Sequence, residues 1–333
     1  MNFTIKEVAK QANVSVATVS RVLNDLGGYS EDTKERVLKV IEQMGYQPNT
    51  IARGLVTKNT KTIGVLLPNV KTIFYGEIID GIEDTAHMNN YSVVVCNTGI
   101  DGNRTLEYLK VLTGRQVDGI IITSLTITND YYKALAAIKV PIILVSTESY
   151  RLQVPYVKVD DKQAAYSAAQ YLIEMGHTDI AMISGTPDDP VAGEPRINGY
   201  LQALQDYGIP INKKLIKHGN FSYQSGITCM EELLSEKNTF SAVFAASDNM
   251  AVGALSVAYK KGIKVPDELS VIGYDNTPVA EMAIPPLTVV AQPLYNMGKT
   301  AMEKLLSMIK TQKRAESIIL PHKIVERNTV RRL

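Results

Sequence analysis

The stretch Ser15-Val-Ala-Thr-Val-Ser-Arg-Val-Leu-Asn24 has the spacing of a short amphipathic helix. With an advance of 100° per residue, Val19, Val22 and Leu23 lie on one side, and Arg21 lies on the other among small side chains. We therefore predict that the first side packs into a core and that the second side is presented to a partner.

The residues before this stretch predict another helix, joined to it by a tight turn. Thr4-Ile-Lys-Glu7 has the form of a capping box, in which the two end residues bond reciprocally to the first turn of a helix. Asn13-Val-Ser15 then forms the turn, with its serine as the N-cap of the second helix. A third helix is expected between residues 30 and 45, so that residues 1–47 form one helix-turn-helix domain.

Two short helices joined by so tight a turn fit the major groove of DNA. A guanidinium such as that of Arg21 donates two hydrogen bonds to O6 and N7 of guanine, and small apolar side chains contact thymine methyl groups. The same spacing is also compatible with a three-helix module that binds protein, in which Arg21 is only solvated. Spacing alone leaves both interpretations open.

The order of residue types favours the DNA-binding interpretation. Thr4-Ile-x-x-Val-Ala-x-x-Ala12, followed by Val14-Ser-x-x-Thr-Val-Ser-Arg-Val-Leu-Asn24, closely resembles the DNA-binding headpiece of the LacI/GalR family of bacterial transcription regulators. The resemblance implies that Val16, Ala17 and Arg21 read bases, whereas the polar side chains around them hold phosphates.

Residues 48–60 resemble the hinge of the same family, which becomes helical on operator DNA and pairs with a second copy. Alone, this segment is too short and too poor in helix formers to be a stable helix in water. Leu55 matches the residue that enters the minor groove and kinks the duplex, and the alternative is a linker with Leu55 docked on the next domain. The residues predicted to bind DNA are Thr4, Ser15, Val16, Ala17, Thr18, Ser20, Arg21, Asn24, Tyr46, Asn49, Ala52, Arg53 and Leu55.

The composition is that of an ordinary globular protein, long enough for two or three cores. The chain has 333 residues, of which 45% are hydrophobic and 21% charged. Its formal net charge is +1, but residues 1–61 hold a balance of +3, so the basic excess lies with the proposed DNA-binding region. Cys96 and Cys229 are expected to be buried thiols of a cytoplasmic protein, with no export signal and no membrane contact.

From Lys61 onward, continuous apolar runs alternate with amphipathic stretches. This alternation predicts an α/β fold in which parallel sheets are covered by helices, and its length favours two doubly wound subdomains. The layout resembles the periplasmic-binding-protein fold that the family uses as its sensor core. The runs predicted as strands are Thr62–Leu67, Tyr91–Cys96, Gly119–Thr123, Pro141–Val145, Ile180–Ser184, Ala242–Ala246 and Ser270–Tyr274.

We predict that residues 61–333 form an effector-binding and dimerisation core. Its N-subdomain comprises about residues 61–160 and 291–320, and its C-subdomain comprises about residues 161–290 and 321–333. Crossovers between the two subdomains are expected near Val159-Asp-Asp161 and near residues 288–293.

Ligands of open α/β sheets bind at the carboxyl ends of the strands, so polar residues after each run are candidates. Glu194-Pro-Arg-Ile-Asn-Gly-Tyr200 and Ile272-Gly-Tyr-Asp-Asn276 resemble two family motifs, which implies that Arg196 and Asp275 are the principal ligand contacts. Aromatic rings after the first strand match positions that cover a sugar or base face, although Thr72-Ile73 stands where many relatives carry Asn-Pro. The predicted effector-binding residues are Asn69, Phe74, Tyr75, Ser124, Glu148, Arg196, Phe221, Asp248 and Asp275.

Two of these candidates have purely structural alternatives. Arg196 could pair with Asp189 or Glu194 and thereby brace its own loop. Asp248 could cap the helix that follows it, and for this residue capping is the preferred interpretation.

No motif in the sequence predicts an enzyme. The four histidines are scattered without metal-ligand spacing, and G-x-S-x-G, P-loop and G-x-G-x-x-G motifs do not occur after a predicted strand. We therefore expect no catalytic residue, no metal and no cofactor.

The sequence predicts a transcription regulator, acting as a repressor of carbohydrate genes. A homodimer would bind a pseudo-palindromic operator in double-stranded DNA, under control of a sugar or sugar phosphate bound between the subdomains. One alternative keeps the DNA-binding role but replaces the sugar with a protein corepressor. The other is a solute-binding protein of a transport system, which leaves residues 1–60 without a role.

Overall fold

The computed structural model describes residues 3–23, 25–46, 59–149, 153–236 and 239–333. The chain divides into two compact units, residues 1–60 and residues 61–333. The helices described in the first unit are α1 Ile5–Gln11, α2 Val16–Leu23 and α3 Glu31–Met44.

The helix ends of the first unit form as predicted. The Thr4 backbone N–H donates to the Glu7 carboxylate at 2.7 Å, and the Glu7 N–H donates to the Thr4 hydroxyl at 3.4 Å, which completes the capping box. Ser30 caps α3, and Gly45 ends it in the left-handed conformation with φ 59°. The small core between the helices consists mainly of Val8, Ala9, Ala12, Val19, Val22, Val37, Val40 and Tyr46.

The second unit contains two sheets and the helices that cover them. Its strands are β1 Thr62–Leu67, β2 Ser92–Asn97, β3 Gly119–Thr123, β4 Ile142–Val145, β5 Tyr156–Lys158, β6 Ile180–Ser184, β7 Ile216–His218, β8 Ala242–Ala245, β9 Ser270–Asp275, β10 Thr288–Ala291, β11 Ile318–Ile319 and β12 Lys323–Val325. Its helices are α4 Ile73–Met88, α5 Thr105–Gly114, α6 Asn129–Ala136, α7 Asp161–Glu174, α8 Gly193–Asp206, α9 Tyr223–Ser235, α10 Asp248–Lys260, α11 Pro278–Met282 and α12 Leu294–Thr311, with a 3₁₀ turn at Lys213–Leu215.

Within the described residues, both sheets have six strands and a doubly wound order. Sheet A runs β11-β5-β4-β3-β1-β2 and is parallel throughout. Sheet B runs β12-β10-β9-β8-β6-β7 and is parallel except for β12, which pairs antiparallel with β10 at the edge. We call the parts built on the two sheets the first and the second lobe.

The continuous apolar runs occur because the central strands are buried on both faces. In sheet A, Ile121 and Ile143 pack with α4 and α12, whereas Ile120, Ile122 and Leu144 pack with α5 and α6. All seven predicted strands are present, with bounds that differ by at most one residue. The sequence did not predict β5 and β7, because each has three residues of mixed burial and lacks a continuous apolar run.

Helix α12 comes late in the chain but packs in the first lobe. Its residues Met297, Ala301 and Leu305 are fully buried in the same core as the β1 and β3 side chains. It approaches α4 closely because glycines stand at the contact: a Cβ on Gly298 would clash with the Ile78 carbonyl oxygen. The chain thus passes between the lobes after β5, after β10 and after β11.

Candidate DNA-reading surface and ligand cleft

The described part of α2 separates a buried face from an exposed one, as its sequence predicts. Val19 and Val22 are buried, whereas Val16 is 41% exposed and Ala17 and Arg21 are also exposed. The backbone N–H of residue 18 donates to the Ser15 hydroxyl at 3.1 Å, which places this serine at the N-cap. A short helix that presents an arginine beside small side chains has the shape and donors needed to read base edges.

The other predicted DNA-binding residues fall into three groups. Thr18 and Ser20 are half-buried on α2, and the Thr18 hydroxyl lies 2.9 Å from the Ser15 hydroxyl. Thr4 uses its side chain in the capping box, and the Tyr46 ring is 9% exposed in the headpiece core, so both have a structural role in this unit. The predicted residues of the last group lie outside the described part of the chain, and they are Asn24, Asn49, Ala52, Arg53 and Leu55. The DNA-contact assignments therefore stay predictions.

The centre of the cleft is occupied by Arg196, whose guanidinium is almost fully surrounded. Its Nε and Nη2 lie 2.9 and 2.8 Å from Oδ1 of Asp161, and its Nη1 donates to the Ala246 carbonyl at 2.6 Å. The guanidinium carbon also lies 3.7 Å from the Tyr274 ring centre and 5.7 Å from that of Phe221. We call Asp161, Arg196, Phe221, Tyr274 and Asp275 the inner cluster.

The suggested loop-bracing partners do not hold Arg196. Asp189 instead accepts from the backbone N–H groups of Val191, Ala192 and Gly193 at the start of α8, at 2.9 to 3.3 Å. The ionic partners of Arg196 in the structure are Asp161 and, at 4.0 Å, Asp275. The arginine therefore belongs to the cleft rather than to its own loop.

Asp275 ends β9 and turns into the cleft with φ 113°, a conformation that L-residues rarely adopt. Its Oδ1 accepts from Nε2 of Gln292 at 2.8 Å, and the residue is only 7% exposed. Burial raises the pKa of the Asp275 carboxyl to about 7, although Arg196 and Gln292 act in the opposite direction. A carboxyl of this kind accepts hydrogen bonds from ligand hydroxyls at little further desolvation cost.

The preferred interpretation of Asp248 as a helix cap is wrong. The N-cap of α10 is Ser247, whose hydroxyl accepts from the Met250 N–H at 3.2 Å. Oδ2 of Asp248 instead accepts from the backbone N–H and the hydroxyl of Thr277, at 2.7 and 2.9 Å. These bonds hold the turn that follows Asp275, and burial together with the Asp275 charge raises the pKa of Asp248 well above its usual range.

Tyr75 brings the first lobe to the inner cluster. The charges of Asp275, Asp189 and Arg196 all act on its hydroxyl. Burial is the main reason that its pKa rises to about 12. The neighbouring Phe74 ring contacts Tyr75 edge to face at 5.1 Å and packs against the first-lobe core. Of the two predicted aromatic residues, Tyr75 is therefore the one that faces the cleft.

A pocket of about 150 Å³ lies between loops of the two lobes. Within it, Lys158 Nζ lies 2.7 Å from Oε1 of Glu148, and Pro190 and Val191 contribute the wall from the second lobe. We call this lining the outer pocket. Asn69 is only half-buried, and its side chain accepts from the Lys71 N–H in its own loop.

The sequence reasoning missed several residues of the cleft. Asp161 was visible only as part of a predicted crossover, Gln292 lies on the next crossover, and Lys158 ends a strand that was not predicted. Their partners lie far away in the chain, so a spacing rule could not connect them.

Two further observations concern the described part of the chain only. No helix there is both long and apolar enough to cross a membrane. No group of three or more His, Cys, Asp or Glu side chains in the same residues is arranged to hold a metal ion.

Comparisons with known families agree with this geometry. The model described as "Bacterial regulatory proteins, lacI family" matches residues 4–49. The model described as "Periplasmic binding proteins and sugar binding domain of LacI family" matches residues 60–328. A solute-binding protein of a transport system would leave residues 1–60 without a role. The headpiece match assigns these residues to DNA binding.

Individual proteins match along almost the whole chain. Catabolite control protein A of Priestia megaterium is 40% identical over 332 residues, which cover 99% of this chain and 100% of that protein. The lac repressor dimer bound to operator and the anti-inducer ONPF is 28% identical, with a TM-score of 0.90 and coverage of 99% and 100%. The transcriptional regulator CelR in complex with cellobiose is 33% identical, with a TM-score of 0.76 and coverage of 98% and 100%. The chain belongs to the LacI family of DNA-binding bacterial transcription regulators.

Proposed function

We propose that this regulator is a repressor of carbohydrate genes that binds a pseudo-palindromic operator as a homodimer. A sugar or sugar phosphate in the cleft would control its affinity for the operator. The observation that carries the proposal is the exposed face of α2, where Val16 and Arg21 stand beside small side chains while Val19 and Val22 are buried. The same chain also contains a cleft with a pocket of about 150 Å³ between loops of the two lobes.

The DNA-binding part rests on chemistry and on likeness. Arg21 offers two parallel N–H donors to guanine, and Val16 and Ala17 offer apolar contact to thymine methyl groups. A neighbour with a TM-score of 0.90 is a dimer bound to operator, which supports the dimer and the operator for this chain. Two-fold symmetry in the protein calls for two half-sites in the DNA.

The effector part rests on how the cleft is built. Arg196 and Asp275 stand on the second lobe, whereas Tyr75 and Ser124 stand on the first, so one ligand would contact both. A ligand that favours one angle between the lobes changes the operator affinity, for which a coupling of about 1 to 3 kcal/mol is sufficient. The CelR neighbour is a complex with cellobiose, which supports a carbohydrate in this cleft.

Operator selection from random duplexes, followed by gel-shift titration, tests the DNA-binding part. We expect Arg21→Ala to abolish sequence-specific binding, because the base-reading donors are lost. Arg36→Ala removes the same charge from the exposed face of α3 and is the matched control, with selectivity retained. Selection of a palindrome by the Arg21→Ala protein would contradict the assignment.

Release of a bound operator by sugars tests the effector part. An active sugar should change the gel shift of the wild type but leave that of Asp275→Asn unchanged. If the operator responds to no carbohydrate and only to an added protein, the corepressor alternative is the correct one.

A further inference from the structure

The cationic side chains of the described cleft already have anionic partners. Among the inner cluster and the outer pocket, these cations are Arg196 and Lys158. Arg196 contacts Asp161 through two nitrogens, and Lys158 contacts Glu148 at 2.7 Å. Both positive charges are therefore already compensated by carboxylates before a negatively charged ligand arrives.

The Arg196–Asp161 pair is held deep in the second lobe. The two side chains are 6% and 7% exposed, so little water screens the pair. The hydroxyl of Tyr274 also donates to Oδ1 of Asp161 at 3.3 Å, and the Ala246 carbonyl holds the other side of the guanidinium. A phosphate could reach the guanidinium only by competing with Asp161, which sits at the donors that a bidentate oxyanion needs.

The remaining charge at the inner end is negative. Asp275 lies 4.0 Å from an arginine that already pairs with Asp161, and the charge of Asp275 raises the pKa of the buried Asp248 nearby, in addition to the effect of burial. Oδ1 of Asp248 is buried without a hydrogen-bond partner among the described residues. Burial is the main cause that raises the pKa of the Asp275 carboxyl to about 7; Asp161 adds to the rise, whereas Arg196 and Gln292 oppose it.

Resting on the proposed function, we propose that Asp161 sets the charge specificity of the cleft, so that it accepts an uncharged hydroxylated ring and excludes phosphate esters. Hydroxyl groups donate to the Asp275 carboxylate and accept from the remaining N–H groups of Arg196, neither of which requires breaking the pair with Asp161.

The substitution Asp161→Asn tests this role, because it keeps an oxygen that accepts from Arg196 but removes the charge. Asp160→Asn is the matched control: the neighbouring carboxylate caps α7 by accepting from the Gln163 N–H at 3.0 Å, and asparagine caps equally well. The probes are inorganic phosphate and glucose 6-phosphate, titrated by calorimetry and by thermal shift against chloride at equal ionic strength. Circular dichroism melting checks that each variant is folded.

We expect the wild type and Asp160→Asn to show no saturable binding of either probe, and Asp161→Asn to bind both probes saturably. Adding Arg196→Gln to Asp161→Asn should abolish the gain, because the phosphate would then lack its guanidinium. Saturable phosphate binding by the wild type that Arg196→Gln removes would overturn the proposal, without any need for the Asp161 variant to fold. Failure of Asp161→Asn to gain phosphate binding while folded would overturn it as well.

The test of Asp161 and the test of the proposed function can fail independently of each other. Operator selection and gel shifts report on DNA binding, and the phosphate titrations do not depend on any operator. A protein that selects no palindrome but gains phosphate binding in Asp161→Asn would refute the regulator proposal and keep the role of Asp161.

Discussion

Replacing Asp275 with asparagine should stabilise the ligand-free protein at alkaline pH. Burial raises the pKa of this carboxyl from 3.8 to about 7, and each unit corresponds to about 1.36 kcal/mol. The charged form therefore costs the folded state about 4 kcal/mol once the pH exceeds 7. Asparagine keeps the oxygen that accepts from Gln292 but carries no charge, so most of this cost should disappear.

The sign of the pH dependence follows from the direction of the shift. Because the native pKa lies above the unfolded value, the folded carboxyl holds a proton that the unfolded chain has lost between pH 4 and 7. Wild-type stability contributed by Asp275 is complete below about pH 4 and falls as the pH rises through 7. The advantage of Asp275→Asn should grow by about 1.4 kcal/mol per pH unit over that range and then level off.

Urea unfolding at several pH values between 4.5 and 8.5 measures this advantage. The chain has no Trp, so far-UV circular dichroism is the suitable signal, with protomer concentration held constant because association adds to stability. Asp267→Asn, an exposed carboxylate of the same lobe, is the control and should show no such slope. An advantage of Asp275→Asn that does not change with pH, or a loss of stability at pH 8, would refute the electrostatic reasoning.

Three further outcomes follow from the packing of the second unit. Gly298→Ala should lower the free energy of unfolding by about 2 to 3 kcal/mol in urea titrations, because the added methyl meets the backbone of α4; an unchanged midpoint would contradict that close approach. Tyr75→Ala should abolish sugar-dependent gel shifts while keeping operator affinity and melting temperature, whereas Phe74→Ala should mainly lower the melting temperature, and the reverse pattern would exchange their roles. Asp248→Ala should leave the two donors of Thr277 without a partner and weaken the sugar response about tenfold in gel-shift titrations, and a normal response would show that the turn after β9 holds without it.

The central strands could be predicted from the sequence because a strand that is buried on both faces consists of consecutive apolar residues. Gly119–Thr123 is buried at every position, and its predicted bounds are the observed ones. Short edge strands lack such an apolar run. Ile216–His218 pairs only at a sheet edge and is half-exposed, so its residues resemble those of a loop.

The cleft was less predictable than the sheets. Arg196 and Asp275 were found through strand ends and family resemblance, but the partner of Arg196 lies 35 residues away on another helix. Asp248 and Ser247 are adjacent candidates for one cap, and only the positions of their oxygens decide between them. Sequence patterns thus locate the groups that face the cleft, whereas three-dimensional pairing decides the charge that each presents.

The late position of α12 has a consequence for synthesis on the ribosome. The apolar face of sheet A, with Ile63 and Ile121, is covered only by α4 until residues 294–311 have emerged, after β6 to β10 of the second lobe. At roughly 5 to 20 residues per second, that interval lasts on the order of ten seconds. A nascent chain that terminates during this interval leaves that part of the apolar face of sheet A exposed to chaperones and proteases.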